Sequence, residues 1–212
     1  MSIEIYTGVP GSGKSLHAAA DIRETLSAPR REQPVIANFR LAQGAPVLKP
    51  QNFHYIANAD MSAGKLSDFA CDFWDSGVHA FAEDYIQLYV DEAQLLFNSR
   101  RWSDSSRMAY LEFLSQSRKY GYKVVLIAQS SMMIDNQFRM LIETECNHRR
   151  VRAMGPAGAI VSLPYRGRLF MCVRYLYVNG KAKERLNMSM RRFHLKDAAM
   201  YDSYATFDRQ EG

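Results

Sequence analysis

The stretch that most constrains this chain is GVPGSGKS, residues 8–15. It matches the pattern G-x-x-x-x-G-K-[ST], and it lies between an apolar run at 3–6, which predicts a strand, and a run at 16–20 that opens a predicted helix. Three glycines permit positive φ, so several backbone N–H groups can converge on one anion at the amino end of that helix. The stretch therefore predicts a phosphate-binding loop.

The chemistry of the loop residues assigns them different roles. Lys14 is placed to reach the β- and γ-phosphates, and the Ser15 hydroxyl is placed to bind Mg²⁺. The other contacts come from the loop backbone around the phosphates. The predicted nucleotide-binding set is Gly8, Val9, Pro10, Gly11, Ser12, Gly13, Lys14, Ser15 and Leu16. ATP and Mg²⁺ are the predicted cofactors.

A second motif follows the apolar run at 85–90, which predicts a strand that ends in Asp91 and Glu92. At the carboxyl end of a strand beside a phosphate loop, Asp91 would hold Mg²⁺ together with Ser15. Glu92 would accept a proton from the attacking water. The pair predicts hydrolysis rather than nucleotide binding alone.

A third strand is predicted at 124–128, where the run is continuously apolar as in buried parallel strands, and it ends at Gln129. We place Gln129 beside Asp91, where it would orient the lytic water or sense the γ-phosphate; a strand that simply ends at the surface is the open alternative. Helices are predicted at 14–26, 65–74, 103–120 and 135–145. This alternation predicts an α/β P-loop NTPase, with a mostly parallel sheet flanked by helices and a C-terminal antiparallel β-hairpin extension.

The pattern changes after residue 145. Asn179-Gly180 predicts a hairpin turn that joins strands at 169–178 and 181–193. We divide the chain into a core at 1–145, a basic hairpin extension of the same domain at 146–196, and a tail at 197–212. The extension favours contact with nucleic acid or anionic lipid headgroups, a solvated strand face being the alternative. Its basic residues are Arg149, Arg150, Arg152, Arg166, Arg168, Arg174, Lys181, Lys183, Arg185, Arg191, Arg192 and Lys196.

Composition excludes several classes of protein. With 47% hydrophobic and 23% charged residues, the chain is not disordered. Three cysteines without close spacing predict a reducing cytosol and no disulfide framework; Cys146 is expected in the core and His148 at the surface, without a metal. No stretch reaches the ~18 apolar residues of a membrane helix, and no signal peptide precedes the first strand. We expect the chain itself to be soluble.

The order of these motifs resembles the zonular occludens toxin family, which includes the gene I assembly proteins of filamentous phages. The resemblance rests on the N-terminal phosphate loop, on Asp91-Glu92, on Arg118 to Gly121 leading into a strand that ends at Gln129, and on the closing segment at 201–204. It implies an ATPase motor domain, on the cytoplasmic side of the bacterial inner membrane, that drives extrusion and coating of single-stranded phage DNA. It also implies a membrane segment beyond this chain, so we expect a fragment of a longer protein.

The implied partners are ATP, phage single-stranded DNA, coat and assembly proteins, and further copies of the chain in a ring, with a hexamer as the candidate. Because Lys14 is the only cation predicted in the site, we expect an arginine from a neighbouring subunit, with Arg118 first and then Arg100 and Arg101. Two alternatives stay open. One is a small-molecule or nucleotide kinase of the P-loop class, and the other is a secreted toxin acting on epithelial junctions.

Overall fold

One sheet organises the chain. The computed structural model describes residues 3–97, 104–166, 168–179 and 181–200, and within them eight strands join in the order β3-β2-β4-β5-β1-β6-β7-β8. The first six strands run parallel, and β7 and β8 are antiparallel. The strands are β1 (Ile3–Thr7), β2 (Val35–Ala37), β3 (Phe53–Tyr55), β4 (Ile86–Val90), β5 (Tyr122–Ile127), β6 (Thr144–Arg150), β7 (Leu169–Val178) and β8 (Lys181–Arg192). The predicted architecture of a mostly parallel sheet with an antiparallel hairpin is confirmed.

Six α-helices lie among the described residues: α1 (Lys14–Leu26), α2 (Ala63–Asp75), α3 (Asp104–Ser115), α4 (Asn136–Arg139), α5 (Gly155–Ser162) and α6 (Leu195–Ala198). α1 has its predicted bounds. α3 ends five residues earlier than predicted, because a series of tight turns carries the chain to Gly121 and into β5. None of the helices in the described ranges is long and apolar enough to cross a membrane.

The central strands are buried on both faces, because their side chains alternate between two hydrophobic layers. On one face, Ile5 and Leu126 pack with residues of α2 and α3. On the other, Tyr6 and Ile127 pack with Ala19 and its neighbours on α1. The helices therefore cover both faces of the sheet, and the carboxyl ends of the parallel strands meet at one edge.

The predicted helix at 135–145 is wrong beyond Arg139. The chain turns after α4 and enters β6, which runs parallel to β1, with Ile5 opposite Glu145. Thr144 and Cys146 are fully buried, so the segment has the two-residue alternation of a strand. The boundary that we predicted at 145/146 lies within this strand, and the division into core, extension and tail stays a prediction.

The prediction that the cysteines form no disulfide is also wrong for two of the three residues. A disulfide joins Cys146 on β6 to Cys172 on β7, with a Cα–Cα distance of 6.1 Å. The antiparallel pairing of the two strands places His148 opposite Cys172 and so brings the cysteines together. Cys71 is free and exposed. His148, which we predicted at the surface, is only 2% exposed.

The extension is fastened to the core by ion pairs. Arg174 Nη2 lies 2.8 Å from Glu4 Oε1 on β1. Arg191 makes pairs of 2.7 Å with Asp21 and 2.8 Å with Glu24, both on α1. These two arginines are therefore engaged by acidic residues of the core, and contact of the extension with nucleic acid or lipid stays a prediction.

The turn before β5 generates a stability prediction. Gly121 has φ +77°, and an added Cβ would lie 2.7 Å from Trp74 Cζ2 and 2.9 Å from Ala82 O. Gly44 has the same φ with nothing within 4 Å, so it is a matched control. Alanine at Gly44 should cost only the left-handed backbone penalty of about 1–2 kcal/mol. Gly121→Ala should lose about 1–3 kcal/mol more of the free energy of unfolding, because the Trp74 ring and the Ala82 carbonyl group must move.

Urea unfolding of both variants checks this prediction, provided that their m-values match. Equal losses of unfolding free energy in the two variants would contradict the packing argument.

Candidate nucleotide-binding site

The loop between β1 and α1 has the backbone of an anion cradle. Gly8, Gly11 and Gly13 all have positive φ, at 139°, 73° and 100°. A Cβ at Gly8 would lie 2.4 Å from the carbonyl oxygen of His148, and one at Gly13 would lie 2.5 Å from Phe170 Cδ1. The loop therefore needs glycine for close packing as well as for backbone conformation. β6 and β7 both press against it.

The remaining loop residues divide by exposure. Val9 and Pro10 are exposed at the outside of the loop, and Ser12 is buried beneath it. Leu16 is partly buried and packs against the cluster that contains Phe170. All of these residues belong to the set that we predicted to contact the nucleotide. No described contact tests which of them would touch it.

Lys14 reaches back over the loop. Its Nζ donates to Gly8 O at 2.7 Å and to Val9 O at 3.2 Å. Burial lowers the pKa of Lys14 from its ordinary value, while the carboxylates of Asp91 and Glu92 act in the opposite direction. The ammonium group is thus held at the mouth of the cradle, where a phosphate would replace the two carbonyl oxygens.

The two residues predicted to hold Mg²⁺ are brought together. Ser15 Oγ lies 3.4 Å from Asp91 Oδ2, although 76 residues separate them in the chain. Asp91 is buried at the end of β4. A hydroxyl and a carboxylate side by side form a pair of hard oxygen ligands, as Mg²⁺ requires.

Sequence reasoning missed Asn38, which holds the backbone of Asp91. Asn38 Oδ1 accepts from Asp91 N, and Asn38 Nδ2 donates to Asp91 O, both at 2.7 Å. Nδ2 also donates to Asn58 Oδ1 at 2.8 Å. The available signal was its position, since a polar residue just after β2 lies at the same sheet edge as Asp91.

Glu92 has an unusual backbone conformation for a non-glycine residue, with φ +48°. Its N–H donates to Asp91 Oδ1 at 2.8 Å, and its exposed carboxylate accepts a hydrogen bond from Gln94 Nε2. A left-handed residue directly after Asp91 is the kind of local strain that occurs at functional sites. It turns the Glu92 side chain out toward solvent at this edge.

Gln129 follows β5, and β5 lies between β4 and β1. Its backbone oxygen accepts from Gly8 N at 3.2 Å, and its exposed side chain lines a cavity beside the loop. The structure thus places Gln129 at the same edge as Asp91 and the loop, as predicted. Its role in orienting water stays a prediction.

That cavity, of about 880 Å³, has two arginines in its lining. Arg149 and Arg150, at the carboxyl end of β6, line it together with the loop residues from Gly8 to Ser12. Both arginines are exposed, and Arg149 Nε donates to Asn147 Oδ1 at 3.4 Å. Two cations besides Lys14 therefore lie beside the loop, in a cavity whose lining does not include Lys14, Ser15 or Asp91. That they act on a nucleotide stays a prediction.

Arg118 is not part of this edge. It lies four residues before β5, at the amino ends of the strands, and pairs with Glu143 at 3.1 Å and with Glu83 at 3.7 Å. It could meet a nucleotide only in a neighbouring subunit. Arg100 and Arg101 lie outside the described residues.

Two histidines lie behind the loop and were not predicted there. His17 on α1 and His148 on β6 are both buried, and His17 Nδ1 is 2.6 Å from His148 Nε2. Burial lowers the pKa of His17 to about 4 and that of His148 to about 3. Both rings are therefore neutral at pH 7.

Comparison with solved structures supports the fold. The N-terminal domain of zonular occludens toxin from Neisseria meningitidis is 16% identical and superposes with a TM-score of 0.58, covering 95% of this chain and 98% of that one. B204, the DNA-packaging ATPase from Sulfolobus turreted icosahedral virus, is 15% identical with a TM-score of 0.50, covering 91% of this chain and 98% of that one. The α/β P-loop NTPase fold is confirmed.

Sequence comparison gives the family. The "Gene 1 protein" of Enterobacteria phage I2-2 is 28% identical over 181 residues, which are 80% of this chain and 46% of that protein. The chain thus spans about half the length of the curated relatives that it matches. The sequence profile described as "Zonular occludens toxin (Zot)" matches residues 2–207. The chain belongs to the zonular occludens toxin family.

Proposed function

We propose that this chain is the ATP-hydrolysing motor domain of a filamentous phage assembly protein. The observation that carries the proposal is the 3.4 Å approach of Ser15 Oγ to Asp91 Oδ2, at the edge where the phosphate loop and Glu92 also lie. This edge collects a phosphate cradle, a metal-binding pair and a carboxylate for proton transfer. The similarity to the "Gene 1 protein" of phage I2-2 supports the biological role.

The residues at the site fit ATP with Mg²⁺. The cradle of N–H groups and Lys14 suit the phosphates, and Ser15 and Asp91 supply hard oxygen ligands. When bound, Mg²⁺ would neutralise the negative charge that develops on the phosphate oxygens. Asn38 keeps the Asp91 backbone fixed from both its N–H and its C=O. The site is thus organised around the metal position before any ligand arrives.

Hydrolysis is assigned to Glu92. Its left-handed backbone turns the carboxylate away from the buried Asp91 and into solvent, where a water molecule is available. In the proposed mechanism Glu92 accepts the proton of that water while Gln129, on the next strand, orients it. Gln94 would release the Glu92 carboxylate when the water binds.

The kinase alternative is less well supported, because a kinase passes the phosphoryl group to a substrate hydroxyl and needs no second carboxylate after the metal-binding aspartate. The toxin alternative has no counterpart in the chemistry of the described residues, which is that of an ATP site.

From the resemblance to phage assembly proteins we propose that the chain lies at the cytoplasmic side of the bacterial inner membrane. A segment beyond residue 212, following 201–204, would provide the membrane anchor; 201–204 lies outside the described residues.

The proposed partners follow from this role. A ring of copies, with a hexamer as the candidate, would pass single-stranded phage DNA while coat and assembly proteins are exchanged. The exposed part of the hairpin is the basic surface that we propose for such contacts, while Arg174 and Arg191 are engaged by the core. Arg118, on the opposite edge, would reach the site of the next subunit.

The first prediction separates hydrolysis from binding. Glu92→Gln keeps the shape of the side chain but removes the base, so kcat should fall by about 10²–10⁴ while ATP affinity stays within a few-fold. Glu112→Gln, an exposed glutamate on α3, is the control and should leave both unchanged. Phosphate release and nucleotide titration measure the two quantities. Near-normal hydrolysis by Glu92→Gln would remove Glu92 from the mechanism.

The second prediction concerns the cavity arginines. Arg149→Ala and Arg150→Ala should each lower kcat/KM for ATP by at least about tenfold, because a cation near the phosphates is lost in a partly desolvated cavity. Arg152→Ala is the matched control, since Arg152 is exposed but lies outside this cavity. If steady-state kinetics give all three variants the same kcat/KM for ATP, Arg149 and Arg150 do not contact the nucleotide.

The third prediction tests the arginine supplied in trans. Arg118→Ala lacks the arginine but keeps Glu92, whereas Glu92→Gln lacks the base but keeps Arg118. Each alone should be nearly inert, since an arginine finger is worth roughly 10³–10⁵ in rate. Mixing the two should restore activity, because a complete site forms wherever an intact Glu92 meets an intact Arg118 of a neighbour. No recovery in oligomers shown to contain both variants would contradict a trans role.

A further inference from the structure

Four buried side chains behind the phosphate loop form a cluster that the proposed ATP chemistry does not use. They come from three elements, and one nitrogen or sulfur atom from each lies within 4.8 Å of the others. We call them the Cys₂His₂ cluster: His17, Cys146, His148 and Cys172. All four residues are buried. Two imidazoles and two sulfurs are the ligand set of structural zinc sites.

An oxygen atom lies near the outer nitrogen of each histidine in the cluster. His148 Nδ1 lies 3.3 Å from the carbonyl oxygen of Thr7, which can only accept, so its hydrogen belongs on Nδ1 and its Nε2 carries a lone pair. His17 Nε2 faces Asp21 Oδ2 at 3.6 Å, which is beyond hydrogen-bond distance and leaves the hydrogen of this ring on either nitrogen. Oxygen atoms beside the outer nitrogens are typical of metal-binding histidines.

The inward nitrogens, His17 Nδ1 and His148 Nε2, are 2.6 Å apart. At this distance the two nitrogens share one hydrogen bond, in which one ring donates and the other accepts, unless a metal ion lies between them. A metal ion there would bind both nitrogens once the hydrogen moved to His17 Nε2, which faces Asp21. It would need further ligands to complete its coordination.

The sulfurs supply those ligands. Cys146 Sγ lies 3.8 Å from His148 Nε2, and Cys172 is bonded to Cys146. A tetrahedral zinc shell with Zn–N of ~2.0 Å and Zn–S of ~2.3 Å separates neighbouring ligand atoms by roughly 3.3–3.8 Å. The cluster reaches this geometry if the two sulfurs are unlinked and the two nitrogens move apart by less than about 1 Å. Tyr6, stacked on His17 with ring centroids 4.7 Å apart, helps to cover the position.

We propose that the Cys₂His₂ cluster, with its cysteines reduced, binds one Zn²⁺ as a closed structural site. The disulfide and the metal are alternative states, because a bonded pair of sulfurs has no thiolate to offer. A phosphine reductant opens the disulfide with one water, which gives the phosphine oxide its oxygen and the two thiols their hydrogens. Zinc binding then releases both thiol protons. The bound metal joins α1, directly behind the phosphate loop, to β6 and β7.

The test uses the full chain purified in a phosphine reductant. Metal analysis after dialysis against zinc should give one zinc per chain. Cobalt in place of zinc should give the visible bands of a tetrahedral ion together with thiolate-to-cobalt charge transfer. Cys172→Ser should weaken zinc binding by more than the roughly 10–100-fold typical of outer-shell changes. Cys71→Ser, which changes the exposed free cysteine, should leave it unchanged.

His17→Gln is the second variant, because it leaves both cysteines in place. This variant should keep the thiolate-to-cobalt charge-transfer band, but it should no longer bind one zinc ion per chain tightly. The proposal is overturned if the reduced wild-type chain takes up no stoichiometric zinc, or if Cys172→Ser binds zinc as tightly as Cys71→Ser. Should Cys172→Ser fail to fold, the cobalt spectrum of the wild-type chain decides: octahedral cobalt without charge transfer would also overturn it.

Discussion

The contact between Ser15 and Asp91 is the interaction on which the candidate site depends. It joins the first residues of α1 to the end of β4, across the intervening strand β5. The two residues can meet only because parallel strands end at one edge of the sheet and the glycine loop turns the chain back at that edge. Asn38, at the end of β2, then holds Asp91 in place. Residues that follow three strands of the sheet thus come together around Asp91.

β6 and the hairpin that follows it contact the loop and α1 directly. Phe170 of β7 closes over Gly13, and the His148 carbonyl oxygen closes over Gly8. Arg191 of β8 is fixed to Asp21 on α1. A displacement of the hairpin would therefore reach the phosphate loop through direct contacts. This gives a physical route by which a load on the hairpin could be coupled to the nucleotide, and a metal in the Cys₂His₂ cluster would stiffen the same route.

The secondary structure could be predicted from the sequence where the local chemistry and the period of the hydrophobic residues indicate the same element. The bounds of α1, the strand before Asp91 and the hairpin at Asn179 all follow from short patterns. The failures share one origin in β6. Phe138, Leu141 and Ile142 have helical spacing, but they cover the turns around the short α4, and the strand begins only at Thr144.

That single misassignment hid three features, because each depends on which strands are neighbours. The cavity arginines need β6 beside β1, the disulfide needs β6 beside β7, and the buried His148 needs both. Long-range pairing of this kind leaves no mark in local periodicity. Asn38 was missed for a related reason, since nothing near it in the sequence shows that β2 and β4 are adjacent.

The most direct test of the account is the binding of ATP by titration calorimetry, with and without Mg²⁺, to the wild-type chain and to Lys14→Ala. The account predicts one ATP per chain, tighter binding with Mg²⁺ than without it, and loss of measurable binding in Lys14→Ala, with Lys65→Ala on α2 behaving as wild type. ATP binding that survives unchanged in Lys14→Ala would contradict it.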